Sequence, residues 1–203
     1  MSQKLESNLR NMILSLLFIS VGMSAALGFV YTLTKGPIEV ATKQKEISAV
    51  KEVLPPFDND PTLDVKNIEG LSFYTGTKDG QIVGVAVKTF TEKAFSGRFD
   101  LMVGFKPDGS INNIVIVEQK ETPGLGTKMK EPKFKDQFNG KNPGSFKMKV
   151  KKDGGEVDAI TAATITSRAF CDGVQKAYDL FAKNFANTNP AVTDSTENKG
   201  GTQ

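Results

Sequence analysis

Histidine and tryptophan are absent from this 203-residue chain, and cysteine occurs once, at Cys171. A single cysteine cannot form an internal disulfide or hold an iron–sulfur cluster by itself. The lack of histidine removes the usual ligand of haem iron and catalytic zinc and excludes Ser-His-Asp and Cys-His hydrolase mechanisms. We expect no metal site and interpret Cys171 as a packing residue. Any redox chemistry would need an organic cofactor.

Charge is nearly balanced, with 26 basic and 23 acidic side chains and a formal net charge of +3. No extended basic patch with interleaved aromatic residues occurs in the sequence, so nucleic acid is not an expected partner.

One long apolar run dominates the N-terminal part of the chain. No charged residue occurs between Arg10 and Lys35. As a helix, this stretch is long enough to cross a hydrocarbon core of about 30 Å. Residues 12–34 are predicted to form a single transmembrane helix, preceded by a cytoplasmic tail at residues 1–11.

A cleaved signal peptide is the alternative for this run. Lys4 and Arg10 give it a basic start, and Ser24, Ala25 and Ala26 resemble a cleavage site. The apolar residues continue to Leu33, past the length of an ordinary signal core, which favours a retained anchor.

The remainder is predicted to be one α+β domain on a membrane tether. Residues 35–70 are interpreted as a stalk helix, opened by Pro37, and a linker; residues 187–203 are polar and predicted to be a flexible tail. Residues 71–186 are the expected domain, a twisted and mostly antiparallel sheet with helices packed against it. Its predicted strands are residues 71–77, 81–90, 98–105, 111–118 and 146–151, and its last helix begins near residue 167.

Small and hydroxyl residues fill the segment from Asp158 to Ser167, just before that last helix. Helix starts collect unpaired backbone N–H groups and a positive dipole end, which suit a phosphate. A hydroxyl at a helix start is usually only a cap, but capping needs one hydroxyl. This segment supplies four, at Thr161, Thr164, Thr166 and Ser167.

The segment resembles the D-x-x-[ST]-G-A-[ST] signature of domains that carry FMN covalently. By position, Asp158 is the leading acid, Thr161 the first hydroxyl, Ala163 the alanine of the signature and Thr164 the residue that accepts the FMN phosphate. Ala162 stands where the signature has glycine, a residue that readily adopts positive φ.

A second segment, Glu121-Thr-Pro-Gly-Leu-Gly126, is similar to the E-T-P-G-L-G segment of the FMN-bearing subunits of Rnf complexes and of the sodium-pumping NADH:quinone reductase. By itself, Pro-Gly-x-Gly indicates only a turn. The resemblance implies that this loop approaches the flavin. The implied cofactor-binding residues are Thr122, Gly124, Leu125, Gly126, Thr161, Ala163, Thr164, Thr166 and Ser167, with Lys128 as a candidate for neutralising charge.

The resemblance implies a membrane-anchored, electron-carrying G subunit of an Rnf-type ferredoxin:NAD oxidoreductase that is not catalytic alone. FMN would be joined by a phosphoester to Thr164 by a flavin transferase. Implied partners are the other membrane and peripheral subunits and membrane lipid. The implied location is the bacterial inner membrane, single-pass, with the FMN domain on the periplasmic or extracellular side.

Two alternatives remain open. The C subunit of the sodium-pumping quinone reductase shares both motifs, but it is a longer chain. A tethered non-redox module would use the threonine-rich segment only as a helix cap.

Overall fold

The computed structural model describes residues 8–185, so the predicted flexible tail at 187–203 and most of the predicted cytoplasmic tail lie outside it. The chain divides into two compact units, the first ending at Lys45 and the second beginning at Glu46. We describe each unit separately.

The first helix, α1 (Leu9–Val53), contains Pro37 within it. The sequence predicts a new helix at that proline, whereas the structure has one helix across both segments. Proline removes one backbone hydrogen bond from a helix interior. The flanking residues continue the helix on both sides, so this loss does not end it.

The N-terminal part of α1 is long and apolar enough to cross a membrane, and none of its apolar window is buried within the protein. Its hydroxyl groups bond to the helix's own carbonyls: Ser20 donates to Leu16 O at 2.8 Å, and Thr32 donates to Phe29 O at 2.8 Å. Polar groups satisfied in this way suit an apolar surrounding.

The second unit is built on a five-stranded antiparallel sheet whose strands follow chain order. The strands are β1 (Val65–Ile68), β2 (Leu71–Lys78), β3 (Gln81–Ala94), β4 (Gly97–Phe105) and β5 (Ile111–Glu118). The α+β architecture is confirmed. The sequence interpretation missed the short strand β1 and ended β3 four residues early.

Helical segments follow the sheet. They are a 3₁₀ helix at Gly126–Lys130, α2 (Pro132–Lys135), 3₁₀ helices at Asp136–Phe138 and Lys151–Asp153, and α3 (Thr164–Phe185). The strand predicted at 146–151 is wrong. That segment makes only an isolated bridge from Val150 to Val157, because the chain turns back on itself where Gly155 packs against the Lys149 backbone.

The sheet has an apolar core on each face, as expected from strand alternation. Leu101, Val103 and Phe105 of β4 belong to the larger core, which includes the buried face of α3. Met102, between them, points into the smaller core beside Val50 and Val53 at the end of α1. The sheet is thus covered by α3 on one face and by the last turns of α1 on the other.

Gly104 allows the end of α1 to lie directly on the sheet. A Cβ at this position would overlap the carbonyl oxygen of Val53. Two side chains of β5 donate hydrogen bonds to the last carbonyls of α1. Asn112 Nδ2 donates to Val53 O at 2.8 Å, and Asn113 Nδ2 donates to Glu52 O at 3.2 Å. These bonds satisfy acceptors that a helix end leaves free.

We expect Gly104→Ala to destabilise the second unit by about 1–3 kcal/mol, because the added methyl group pushes the backbone of β4 away from the Val53 carbonyl at the end of α1. Urea unfolding of the detergent-solubilised chain measures the change. Gly36→Ala is the control, since a Cβ there meets nothing within 4 Å. Equal stability of the two variants would contradict the close packing.

Candidate functional site

A cleft of about 310 Å³ opens where the start of α3 faces the loop that follows β5. Its lining residues are Phe95, Glu121, Thr122, Leu125, Gly126, Ala162, Ala163, Thr164, Ile165 and Thr166. The two segments singled out in the sequence therefore form opposite walls of one cleft.

Three backbone amides are unpaired at the start of α3. The Ala163 N–H donates to Ile160 O at 3.0 Å and the Ser167 N–H donates to Ala163 O at 3.0 Å. Between them, the amides of residues 164–166 have no hydrogen-bond partner among residues 8–185. Ala163 has no polar side chain that could cap them. Unpaired amides at the positive end of a 22-residue helix form an anion site.

The four hydroxyls of this segment have different roles in the structure. Thr164 is half-buried, lines the cleft and has no partner for its hydroxyl within the described residues. Thr161 is exposed and is not part of the cleft lining.

The other two hydroxyls, which the resemblance implies to be cofactor-binding, are hydrogen-bonded within the protein. Thr166 is buried and donates to Glu121 Oε2 at 2.7 Å. Ser167 is buried, donates to Ala163 O at 3.0 Å and accepts from the Ile160 N–H at 3.0 Å. These bonds hold the first turn of α3 to its surroundings, so among the four hydroxyls of this segment only that of Thr164 lines the cleft without a partner in residues 8–185.

Glu121 is a buried acid, 5% exposed, between the two walls. Its Oε1 accepts from the Ser96 N–H at 2.8 Å, and its Oε2 accepts from the Thr166 hydroxyl. Gly126 makes room for this side chain, because a Cβ there would overlap Oε2. A buried carboxyl group needs such partners to offset the loss of water.

The loop from Thr122 to Gly126 is a compact turn. Gly124 has φ of +75°, a region open to glycine. The Leu125 N–H donates to Thr122 O at 3.2 Å, and the Gly124 N–H donates to Thr127 Oγ1 at 3.0 Å. The turn leaves the Leu125 side chain 40% exposed at the cleft.

Ala162 adopts φ of +62°, the conformation for which the signature's glycine is suited. The left-handed region costs an L-residue about 1–2 kcal/mol. Ala162 therefore adopts a conformation that glycine would adopt at lower cost.

Four further residues named from the sequence, Gly124, Asp158, Lys128 and Cys171, are not among the residues that line the cleft. Asp158 is exposed, with its carboxylate 2.8 Å from the Lys151 ammonium. Cys171 is buried in the larger core, and burial raises its pKa to about 12.

Two apolar side chains of the cleft were missed in the sequence. Phe95, 68% exposed, lies in the turn between β3 and β4, and Ile165, 49% exposed, lies in the first turn of α3. With Leu125 they surround the opening with apolar surface. Ile165 directly follows the signature and could have been named from that position, whereas Phe95 is distant from both segments in the sequence.

The cleft fits a ligand that combines a phosphate with a flat apolar ring. The unpaired amides and the Thr164 hydroxyl suit the phosphate, and Phe95, Leu125 and Ile165 suit the ring. FMN has this composition. No cluster of three metal-ligating side chains occurs in residues 8–185.

Comparison with known proteins supports this interpretation. A family model described as the FMN-binding domain matches residues 94–179. The G subunit of the Na(+)-translocating ferredoxin:NAD(+) oxidoreductase complex of Acetobacterium woodii is 35% identical over 83% of this chain and 89% of its own length. The G subunit of the ion-translocating oxidoreductase complex of Pseudomonas aeruginosa is 33% identical over 88% of this chain and 90% of its own length.

The chain belongs to the G-subunit family of ion-translocating oxidoreductase complexes. It contains an FMN-binding domain and is membrane-anchored. A crystal structure of NqrC from Shewanella oneidensis is 26% identical, covers 58% of this chain and 59% of its own, and has a TM-score of 0.44. At that TM-score the likeness carries no functional argument.

We expect Ala162→Gly to stabilise this G-family protein by up to about 1 kcal/mol. Glycine removes the steric cost of the positive φ, and this gain exceeds the additional conformational entropy that glycine loses on folding. The urea midpoint should rise with an unchanged slope. Ala163→Gly is the matched control and should lower the midpoint, since residue 163 does not have positive φ. A lower midpoint for Ala162→Gly would refute the strain.

The Cys171 thiol should resist iodoacetamide at pH 8 in the folded protein and react fully in urea, as mass spectrometry would show. Because its folded pKa of about 12 lies above the ordinary 9.0, the neutral thiol's contribution to stability is complete below pH 9 and is lost as pH rises toward 12. Rapid labelling of folded protein would contradict the burial.

Proposed function

We propose that this chain carries FMN covalently, through a phosphoester to the Thr164 hydroxyl. One observation carries the proposal: a free hydroxyl lies at a helix start with three unpaired amides, in a cleft edged by apolar side chains. The remaining cofactor-binding residues that we propose are Ala163, Thr122, Gly124, Leu125 and Gly126. Gly124 and Thr161 both lie outside the lining. Gly124 contributes by shaping the turn that presents Leu125 to the cleft, and Thr161 is proposed on the resemblance alone. Thr166 and Ser167 act as supports.

Attachment requires a flavin donor and a transferase. With FAD as the donor, the bond from Thr164 Oγ1 to the FMN phosphorus forms, and the bond between the two phosphates of FAD breaks. AMP leaves and takes up the hydroxyl proton. No oxidation or reduction takes place in this step, and Thr164 is the modified residue rather than a catalytic nucleophile of this chain.

We propose that the protein passes electrons within an Rnf-type ion-translocating complex and catalyses no complete reaction alone. Its similarity to the G-subunit proteins supports this role over that of the C subunit of the quinone reductase. FMN supplies the redox chemistry when bound. The chain contributes attachment, orientation and an apolar opening. The proposed partners are the other membrane and peripheral subunits of the complex, a flavin transferase and membrane lipid.

We further propose that residues 12–34 cross the bacterial inner membrane once, with residues 1–11 in the cytoplasm. Residues 35–70 would then lead to an FMN-binding domain at 71–186 on the periplasmic or extracellular side. Lys4 and Arg10 support this orientation. Covalent attachment suits that side, where a dissociable flavin would be lost.

Thr164→Val should abolish the yellow-green fluorescence of the denatured chain on a gel when it is produced with its transferase, because the acceptor oxygen is removed. Thr161→Val is the control and should keep the signal. Fluorescence that persists in Thr164→Val would rule out this acceptor. Wild-type protein without fluorescence would favour the non-redox module.

A further inference from the structure

The start of α3 is held from outside the helix by a buried side chain of the opposite wall. Thr166, two residues after Thr164, donates its hydroxyl to Glu121 Oε2 at 2.7 Å. The other carboxyl oxygen accepts from the Ser96 N–H, at the turn between β3 and β4. A single carboxyl group therefore joins three separate segments around the cleft.

We propose that Glu121 and Thr166 are positioning residues for flavin attachment: they hold the Thr164 hydroxyl and its neighbouring amides in the geometry that accepts the phosphate. This inference rests on the proposed attachment to Thr164. Neither residue is the acceptor.

The helix start depends on this contact because it lacks an ordinary cap. Position 163 is alanine, and three amides of the first turn stay unpaired. First turns without caps fray. Ser167 ties the turn to Ile160 and Ala163, which are close in sequence. The bond to Glu121, 45 residues away, fixes the turn relative to the opposite wall.

Burial gives the contact its strength. Glu121 is 5% exposed and Thr166 is 1% exposed, so water does not readily replace either partner. Removing the Thr166 hydroxyl leaves a buried oxygen with one partner fewer, which weakens the native arrangement of the turn. A shift of the turn is one way to lower that cost. It would also move the Thr164 hydroxyl.

The test measures the rate at which purified full-length protein, in detergent with FAD and a flavin transferase, gains the mass of FMN less one water. We expect Thr166→Val to react about tenfold or more slowly than wild type, since small misplacements slow group transfer. Thr166→Ser keeps the hydroxyl and should restore most of the rate.

The matched control is Thr89→Val. Thr89 is also buried, and its hydroxyl donates to Gly173 O of α3 at 3.3 Å, but it does not line the cleft. This variant should react at the wild-type rate. If Thr166→Val does not fold, as judged by melting, Thr166→Ala serves instead, because it leaves room for water at Oε2.

Hydrogen exchange of the Ser167 amide, which donates to Ala163 O, gives a readout that needs no flavin. It should be faster in Thr166→Val than in Thr89→Val. Unchanged exchange and rate in Thr166→Val, or an equal slowing in Thr89→Val, would overturn the inference. A wild-type chain that gains no flavin would instead defeat the attachment proposal, and the exchange measurement would still decide whether Glu121 and Thr166 order the turn.

Discussion

A buried acid, Glu121, is the constraint on which the cleft depends. Burying a carboxyl group is costly unless its oxygens find donors, and here the donors come from two other segments: Ser96 after β3 and Thr166 in α3. Because Gly126 has no Cβ, it leaves the space that the Glu121 side chain needs. The E-T-P-G-L-G segment therefore has a structural role in the cleft. Its acid holds the helix start, and its turn presents Leu125 to the opening.

The chemistry available to the chain is narrow, and the site is consistent with that. The chain has no histidine, and its one thiol is buried with a raised pKa. What the cleft offers is a free hydroxyl, unpaired amides and apolar surface. Such a site can attach and orient a cofactor but cannot itself carry electrons. This agrees with membership of a family whose proteins work within oxidoreductase complexes.

Sequence reasoning recovered the parts of the structure that local chemistry determines. The Asp79-Gly80 and Asp108-Gly109 turns, with φ of +77° and +80° at the glycines, marked the β2–β3 and β4–β5 connections. What it missed depends on distant contacts. Four hydroxyls close together look equivalent in a sequence, yet Thr166 is engaged by a residue 45 positions earlier. The continuity of α1 through Pro37 was missed because a proline signals a helix start and an interior position alike.

The most direct test of this account is the position of the flavin in protein from its native host. Proteolysis followed by tandem mass spectrometry would find the peptide that carries FMN. We predict the added mass on Thr164 and on no other residue. Flavin on Thr161 or Thr166, or an unmodified peptide from cells that contain the transferase, would contradict the account.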